Sequence, residues 1–167
     1  HGVRIATGGA VRLNPTPEQW DQIPRLAGRT IDREHDTIEV TLRYDASAKI
    51  FFQCRRRFWE EDEGIFGGGS VTDLAIRNIY YPEHGRETGR GVLLASYTWS
   101  EDAQRWGSLS AEARIAQALE NVAAIHPQIR SEFEVGASKM WHDDPYAGGA
   151  FALFEPSQQT LLHAHII

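Results

Sequence analysis

Between Ile38 and Tyr44 apolar and polar residues alternate strictly, Ile-Glu-Val-Thr-Leu-Arg-Tyr, the period of a strand with one face in a core. Asp45-Ala46-Ser47 reads as a turn, and 49-KIFFQCRRRF-58 as a second strand buried at its start. Two such runs joined by a short polar turn suggest antiparallel neighbours. Further strands are predicted at 74-LAIRNIYY-81 and 91-GVLLASYTW-99, with Pro82-Glu83-His84-Gly85 turning between them. The period then changes. Ile115, Leu119, Val122 and Ile125 recur at helical spacing within 110–127, Glu112 favours the positive helix end, and Pro127 stops the run. That face predicts plain core packing. A strand over 129–141 and a helical piece from Ser157 to about His165 complete the pattern. The sum is an α+β chain, an antiparallel or mixed sheet with packed helices. Residues 1–36 are different: Gly8-Gly9, Asn14-Pro15-Thr16-Pro17 and Pro24 predict an N-terminal arm or connector. One short strand, Val3 to Ala6, and a helical turn near Glu18–Gln22 are expected within it.

Composition narrows the function classes. A length of 167 residues, 41% hydrophobic and 24% charged, fits one domain with a core. The net charge of −6, with acids and bases mixed, argues against nucleic-acid or membrane-surface partners, which call for a basic face. The densest basic run, Arg55-Arg56-Arg57, is answered by Glu60, Glu61, Asp62 and Glu63, predicting a solvated, self-neutralising turn. The single cysteine, Cys54, excludes an internal disulfide and a Cys-based zinc site; its apolar surroundings predict a buried, inert thiol. No stretch approaches the roughly 18 apolar residues of a spanning helix. A start at His1 without a signal peptide is what processing of a longer polypeptide would leave.

Several candidate sites fail on context. The glycine-rich stretch 64-GIFGGGS-70 lacks the Lys-Ser/Thr and following helix of a phosphate loop. His163 and His165, with Asp143 and Asp144 upstream, make a poor metal set, because a helix splays residues two apart. There is no G-x-S-x-G elbow, and no carboxylate stands isolated in an apolar run where burial would raise its pKa.

Lys49 and the aromatics remain. Lys49 opens an apolar strand with no acid two or four positions away. A strand-end lysine that snorkels to water is the favoured reading; the other is a partly desolvated amine aimed at a bound molecule. Tyr97 and Trp99 project from one strand face. In 141-WHDDPYAGGAFALFEP-156, Trp141 and Phe151 flank paired glycines. Aromatic stripes are usually core, yet polar-tipped rings beside glycines also wall pockets for planar ligands.

Together these residues resemble the flavin-dependent amine oxidase superfamily and, within it, the L-amino-acid oxidases. The resemblance runs from about Ile38 to the C-terminus and rests on three blocks in order: KIFFQCRRRFWEEDEGIFGGGSVTDLAIRNIYYPEHG, GVLLASYTWSEDA and MWHDDPYAGGAFALFEP. Within that branch the Tyr-Thr-Trp block and the processed chain are most similar to the microbial L-glutamate oxidases. The resemblance implies the substrate-binding portion of a two-domain FAD-dependent amine oxidase fold. Residues 1–36 would be an arm, 37–139 the substrate-binding portion, and 140–167 a segment returning to the FAD-binding domain. Lys49 matches the lysine that holds a water near the reactive flavin nitrogen. Tyr97 matches the tyrosine that binds the substrate α-carboxylate, Trp99 would line the side-chain end of the cavity, and Phe151 matches the aromatic beside the substrate. Trp141 matches the tryptophan packed by the isoalloxazine, with Tyr146, Gly148, Gly149 and Ala150 on the same cofactor side. Ala150 stands where the mitochondrial amine oxidases carry a cysteine tethered to flavin, which implies non-covalent FAD.

The departures from the family pattern are as informative. The βαβ unit with G-x-G-x-x-G and its ribose-binding acid is missing. So are the Gly-Glu-His/Tyr-Thr block and the arginine that clamps the substrate carboxylate. The expectation is a subunit or proteolytic fragment of an FAD-dependent L-amino-acid oxidase, active only with other chains of the same processed oxidase. Such a hetero-oligomer, expected to be extracellular, would convert an L-amino acid and dioxygen to a 2-oxo acid, ammonia and hydrogen peroxide. A fragment of a polyamine or other amine oxidase is one alternative. A non-catalytic binding subunit on the same scaffold is another, against which the retention of Lys49 and Tyr97 argues.

Overall fold

The computed structural model describes residues 43–154 throughout, together with 4–6, 10–13, 29–32, 37–41 and 157–160. The chain divides into two compact units, 1–45 with 151–167, and 46–150.

In the first unit, β1 (Arg4–Ala6), β2 (Ala10–Leu13), β3 (Arg29–Asp32) and β4 (Thr37–Thr41) form an antiparallel sheet in the order β1-β2-β4-β3. A separate ribbon pairs β5 (Arg43–Asp45) with β11 (Phe151–Leu153). Two expectations are corrected here. Where one strand is expected within residues 1–36, the described residues form three, short pieces in which sheet pairing overrides a turn-rich composition. The alternating run at 38–44 is split between β4 and β5 rather than continuous. The helical turn expected near residues 18–22 lies outside the described residues, as do residues 161–165 of the expected final helix.

The second unit is built on a five-stranded antiparallel sheet in the order β10-β6-β9-β8-β7. Its strands are β6 (Ser47–Cys54), β7 (Gly69–Val71), β8 (Asn78–Tyr80), β9 (Gly91–Trp99) and β10 (Phe133–Met140). Four helices accompany them: α1 (Phe58–Glu61), α2 (Ser100–Gly107), α3 (Ala111–Ile125) and α4 (Ile129–Glu132). Alternation decides which face of β6 is covered: Ala48, Ile50, Phe52 and Cys54 are fully buried, while Lys49, Phe51 and Gln53 are half-buried. The buried set faces α2 and α3. On the neighbouring strand, Gly136 pairs with Phe52 and lies under Ile115 of α3, so close that a Cβ there would stand 2.7 Å from Ile115 Cδ1. Phe58, Trp59, Ile76, Ile79, Leu93, Val122 and Ile129 fill the rest of this core. Each such side chain contributes on the order of 1.5–3 kcal/mol by leaving water.

The central helix forms where the periodicity places it, with Ser110 as N-cap, its hydroxyl accepting from the Ala113 amide at 3.2 Å. Elsewhere tertiary context wins. The expected pairing of β6 with the alternating run before it is absent: β6 pairs with β9 and β10. The strand expected over 129–141 begins only at Phe133. Before it, the amides of Ile129 and Glu132 donate to the carbonyls of His126 and Gln128 and close a helical turn. Only Asn78–Tyr80 of the expected 74–81 strand is extended, because Arg77 adopts φ 57° and its amide closes a turn onto Leu74. The strand expected over 49–58 ends at Cys54. The arginines after it form a hub rather than a solvated turn. Arg56 binds Glu61, Asp62 and Glu132, and buried Arg57 binds Glu60 and the carbonyls of Pro82 and His84. Cys54 is fully buried, and burial with Glu132 and Glu134 nearby pushes its thiol up to about 12.

Candidate active site

The second face of the sheet takes its side chains from alternate positions of four strands. Antiparallel register sets Lys49 of β6 directly between Tyr97 of β9 and Lys139 of β10. One step along, Ser47 pairs with Trp99. A bulge in β9 opposite Ile50 and Phe51 shifts the alternation, so that Leu94 and Val92 share this face with Tyr97 and Trp99.

The row is a set of cation–ring and ring–ring contacts. Lys49 Nζ lies 4.7 Å from the Tyr97 ring centroid. Tyr97 meets Trp99 edge-on, centroids 5.3 Å apart at 86°, and Tyr80 at 6.3 Å. Trp99 is 53% exposed and Tyr80 40%, a large aromatic area to leave on a sheet face. Among the described residues no carboxylate pairs with Lys49. The end of β9 is fixed from behind. Trp99 runs straight into α2 without a loop, Ser100 takes φ 51°, and its amide donates to the Ala46 carbonyl at 2.9 Å. Arg77 Nε anchors the first turn of α2 by donating to Asp102 Oδ2 at 2.8 Å. Asn78 Nδ2 donates to the Tyr97 carbonyl at 3.1 Å.

Beyond β10 the chain makes a 3-10 turn at Trp141–Asp143 and then the glycine-rich stretch. Trp141 is half-buried, Gly149 buried, and Tyr146, Gly148 and Ala150 exposed. Gly148 has φ 62°, a conformation that disfavours side chains, and a Cβ built there meets nothing within 4 Å. Phe151 belongs to the other unit, on β11, where it pairs with Asp45 and is 40% exposed. Lys49, Tyr97 and Trp99 are thus brought into contact, and Trp141 with the residues to Ala150 follows on the strand next to Lys49.

Sequence reasoning passed over three participants. Tyr80 joins the aromatic row only through the β8–β9 pairing of Tyr80 with Leu94. Lys139 enters through the β6–β10 register, which no local pattern announces. The third is a buried polar chain on the core side. Ser70 Oγ and Tyr81 Oη are 2.7 Å apart, Tyr81 Oη and His126 Nε2 2.7 Å, and His126 Nδ1 and Glu63 Oε1 2.9 Å. Burial raises the Tyr81 hydroxyl above its ordinary pKa, and the chain ties the loop after α1 to the end of α3. Among the described residues no three His, Cys, Asp or Glu could hold a metal ion, and no helix is long and apolar enough to cross a membrane.

The described residues thus form a helix-backed antiparallel sheet with a lysine–tyrosine–tryptophan row on its second face. The chain belongs to the flavin containing amine oxidoreductase family, whose model matches residues 12–165. Among curated proteins it is 47% identical over 118 residues to the L-amino-acid oxidase of Siganus canaliculatus, 69% of this chain and 22% of that protein. It is 47% identical over 102 residues to the L-glutamate oxidase precursor of Streptomyces diastatochromogenes, 59% of this chain and 15% of that one. The L-amino-acid oxidase of Mus musculus is 40% identical over 117 residues, 69% of this chain and 18% of its own. The chain therefore spans about a fifth of the length of these relatives. Its fold matches part of wild-type putrescine oxidase bound to putrescine, with TM-score 0.59 and 22% identity over 74% of this chain and 28% of that one.

Proposed function

We propose that this chain is the substrate-facing portion of an FAD-dependent L-amino-acid oxidase, and that it works with other chains of one processed enzyme. The observation that carries the reading is the Lys49–Tyr97–Trp99 row on one face of the sheet, in a family that contains flavin. The residues present fit that group. Gly148 leaves open space where a side chain would stand, Trp141 and Tyr146 offer flat walls, and Ala150 offers no thiol for a tether, in keeping with FAD held non-covalently. When bound, FAD would supply two-electron redox chemistry between the substrate and dioxygen, with hydrogen peroxide as a product.

The chain's own residues position and exclude. Tyr97 donates its hydroxyl to the substrate α-carboxylate. Trp99 shapes the side-chain end of the cavity. Lys49 holds a water for flavin reoxidation or for hydrolysis of the released imino acid to 2-oxo acid and ammonia. The carboxylate-clamping arginine and the dinucleotide motif come from partner chains, with residues 37–139 serving the substrate side and 140–167 returning to the FAD side. Similarity to an L-glutamate oxidase precursor favours L-glutamate as substrate.

The test is a native assembly purified with its partners, analysed by intact mass and screened for peroxide against L-amino acids and polyamines. The expected result is unattached FAD, additional chains, and peroxide with L-amino acids, strongest with L-glutamate. Peroxide from polyamines alone would transfer the chain to an amine oxidase, and a colourless, inactive complex would make it a binding subunit.

A further inference from the structure

Lys49 and Lys139 face each other directly across the β6–β10 ladder, on the same side of the sheet. Like charges in that relation repel unless one is drawn away. Lys139 is drawn away. Its Nζ donates to Asp144 Oδ2 at 2.5 Å and lies 5.3 Å from the centroid of the Trp141 ring. The other carboxylate oxygen, Oδ1, accepts from the amides of Tyr146 at 2.9 Å and Ala147 at 3.1 Å. The Asp144 main chain closes the same turn, its amide donating to the Trp141 carbonyl at 3.3 Å and its carbonyl accepting from Gly148 at 2.8 Å. One carboxylate therefore gathers an ammonium and two amides, and links the sheet edge to the whole 141–148 turn. These donors hold Asp144 down at about 2, so it stays ionised at any working pH.

We propose that Lys139 is a positioning residue for the cofactor. Through Asp144 and the face of Trp141 it sets the Trp141 ring and the Gly148-Gly149 backbone against the Lys49 row. Engaged there, it also spares Lys49 a second free ammonium as neighbour. A lysine at β10 that merely snorkelled to water would need neither the carboxylate nor the ring. The inference rests on the proposed flavin site, because it assigns to Lys139 the alignment of the wall on the cofactor side.

The test uses the native assembly with its partner chains, carrying Lys139→Met, Lys139→Arg, Asp144→Asn, or Lys139→Met with Asp144→Asn. Three readouts are taken: hydrogen exchange of residues 141–150 with and without FAD, the FAD dissociation constant of the stripped assembly, and the flavin visible spectrum. Lys139→Met and Asp144→Asn should each speed exchange of this stretch about tenfold, weaken FAD about tenfold and alter the flavin spectrum. Lys139→Arg should restore all three, and the double variant should be no worse than either single one. Wild-type exchange, affinity and spectrum in Lys139→Met, or single effects that simply add, would overturn the inference while the parent enzyme remains yellow and active. A wild-type assembly without flavin would instead overturn the proposed function and the cofactor role of Lys139 with it.

Discussion

A lysine Nζ 4.7 Å above a tyrosine ring, with no carboxylate of the described residues against it, keeps its ammonium available to a guest molecule. Replacing Lys49 by Met in the assembled enzyme should therefore slow flavin reoxidation or imine hydrolysis at least about tenfold, with substrate KM unchanged within about twofold. Stopped-flow measurement of the separate half-reactions checks this, and unchanged rates contradict it. Tyr97→Phe removes one donor to a charged group, an effect of about 1.5–3 kcal/mol, so kcat/KM should fall roughly 10- to 100-fold. Steady-state kinetics with an L-amino acid decide that case. Cys54 is an internal control away from the site. Its folded pKa, raised from 9.0 to about 12, means the unfolded thiol ionises first. The stability it contributes is fully present below about pH 9 and lost as pH rises toward 12. The native thiol should be inert to a disulfide reagent at pH 8 and react fully once the chain is unfolded; prompt native labelling would show the burial to be wrong. At this scale the sequence exposed Lys49, since an unanswered cation in an apolar run is a local signal. It could not expose Lys139, whose partner Asp144 lies five residues on across a turn and whose neighbour Lys49 comes only from strand register.

The elements show where a linear pattern suffices. Helix α3 carries its own signals, a serine cap, an early acid, apolar spacing and a terminal proline, and it forms within a residue or two of the expected limits. Ser110→Ala should cost about 1 kcal/mol of stability without touching the flavin spectrum, read as a lowered denaturation midpoint. Strand partners are another matter: alternation marks β4 and β6 as strands but says nothing of whom they pair with, and β6 pairs with strands about 40 and 80 residues downstream. Gly91 depends on such a long-range contact. A Cβ there would stand 2.5 Å from Trp59 Cη2, and Trp59 is fully buried. Gly91→Ala should destabilise by about 1–3 kcal/mol through overpacking, more than Ser110→Ala does, and an equal or smaller shift in midpoint would contradict the packing described. Helix α2 escaped notice because SEDAQRWG sends only Ala103 and Trp106 into the core, too few positions for a period to emerge.

For the whole molecule, family membership rests on a match across most of the chain, while the chain itself spans about a fifth of its relatives. What the chain contributes is a sheet that presents Lys49, Tyr97 and Trp99 on one face and leads, through β10, into the turn bearing Trp141 and Gly148. On the proposed reading the chemistry belongs to the cofactor, and this chain supplies positioning. The most direct test is anaerobic mixing of the purified native assembly with an L-amino acid, L-glutamate first, while the visible flavin absorbance is followed. The account predicts that the absorbance bleaches once and returns with release of hydrogen peroxide when air is admitted. An assembly without flavin absorbance, or one bleached by a polyamine and not by any L-amino acid, would contradict it.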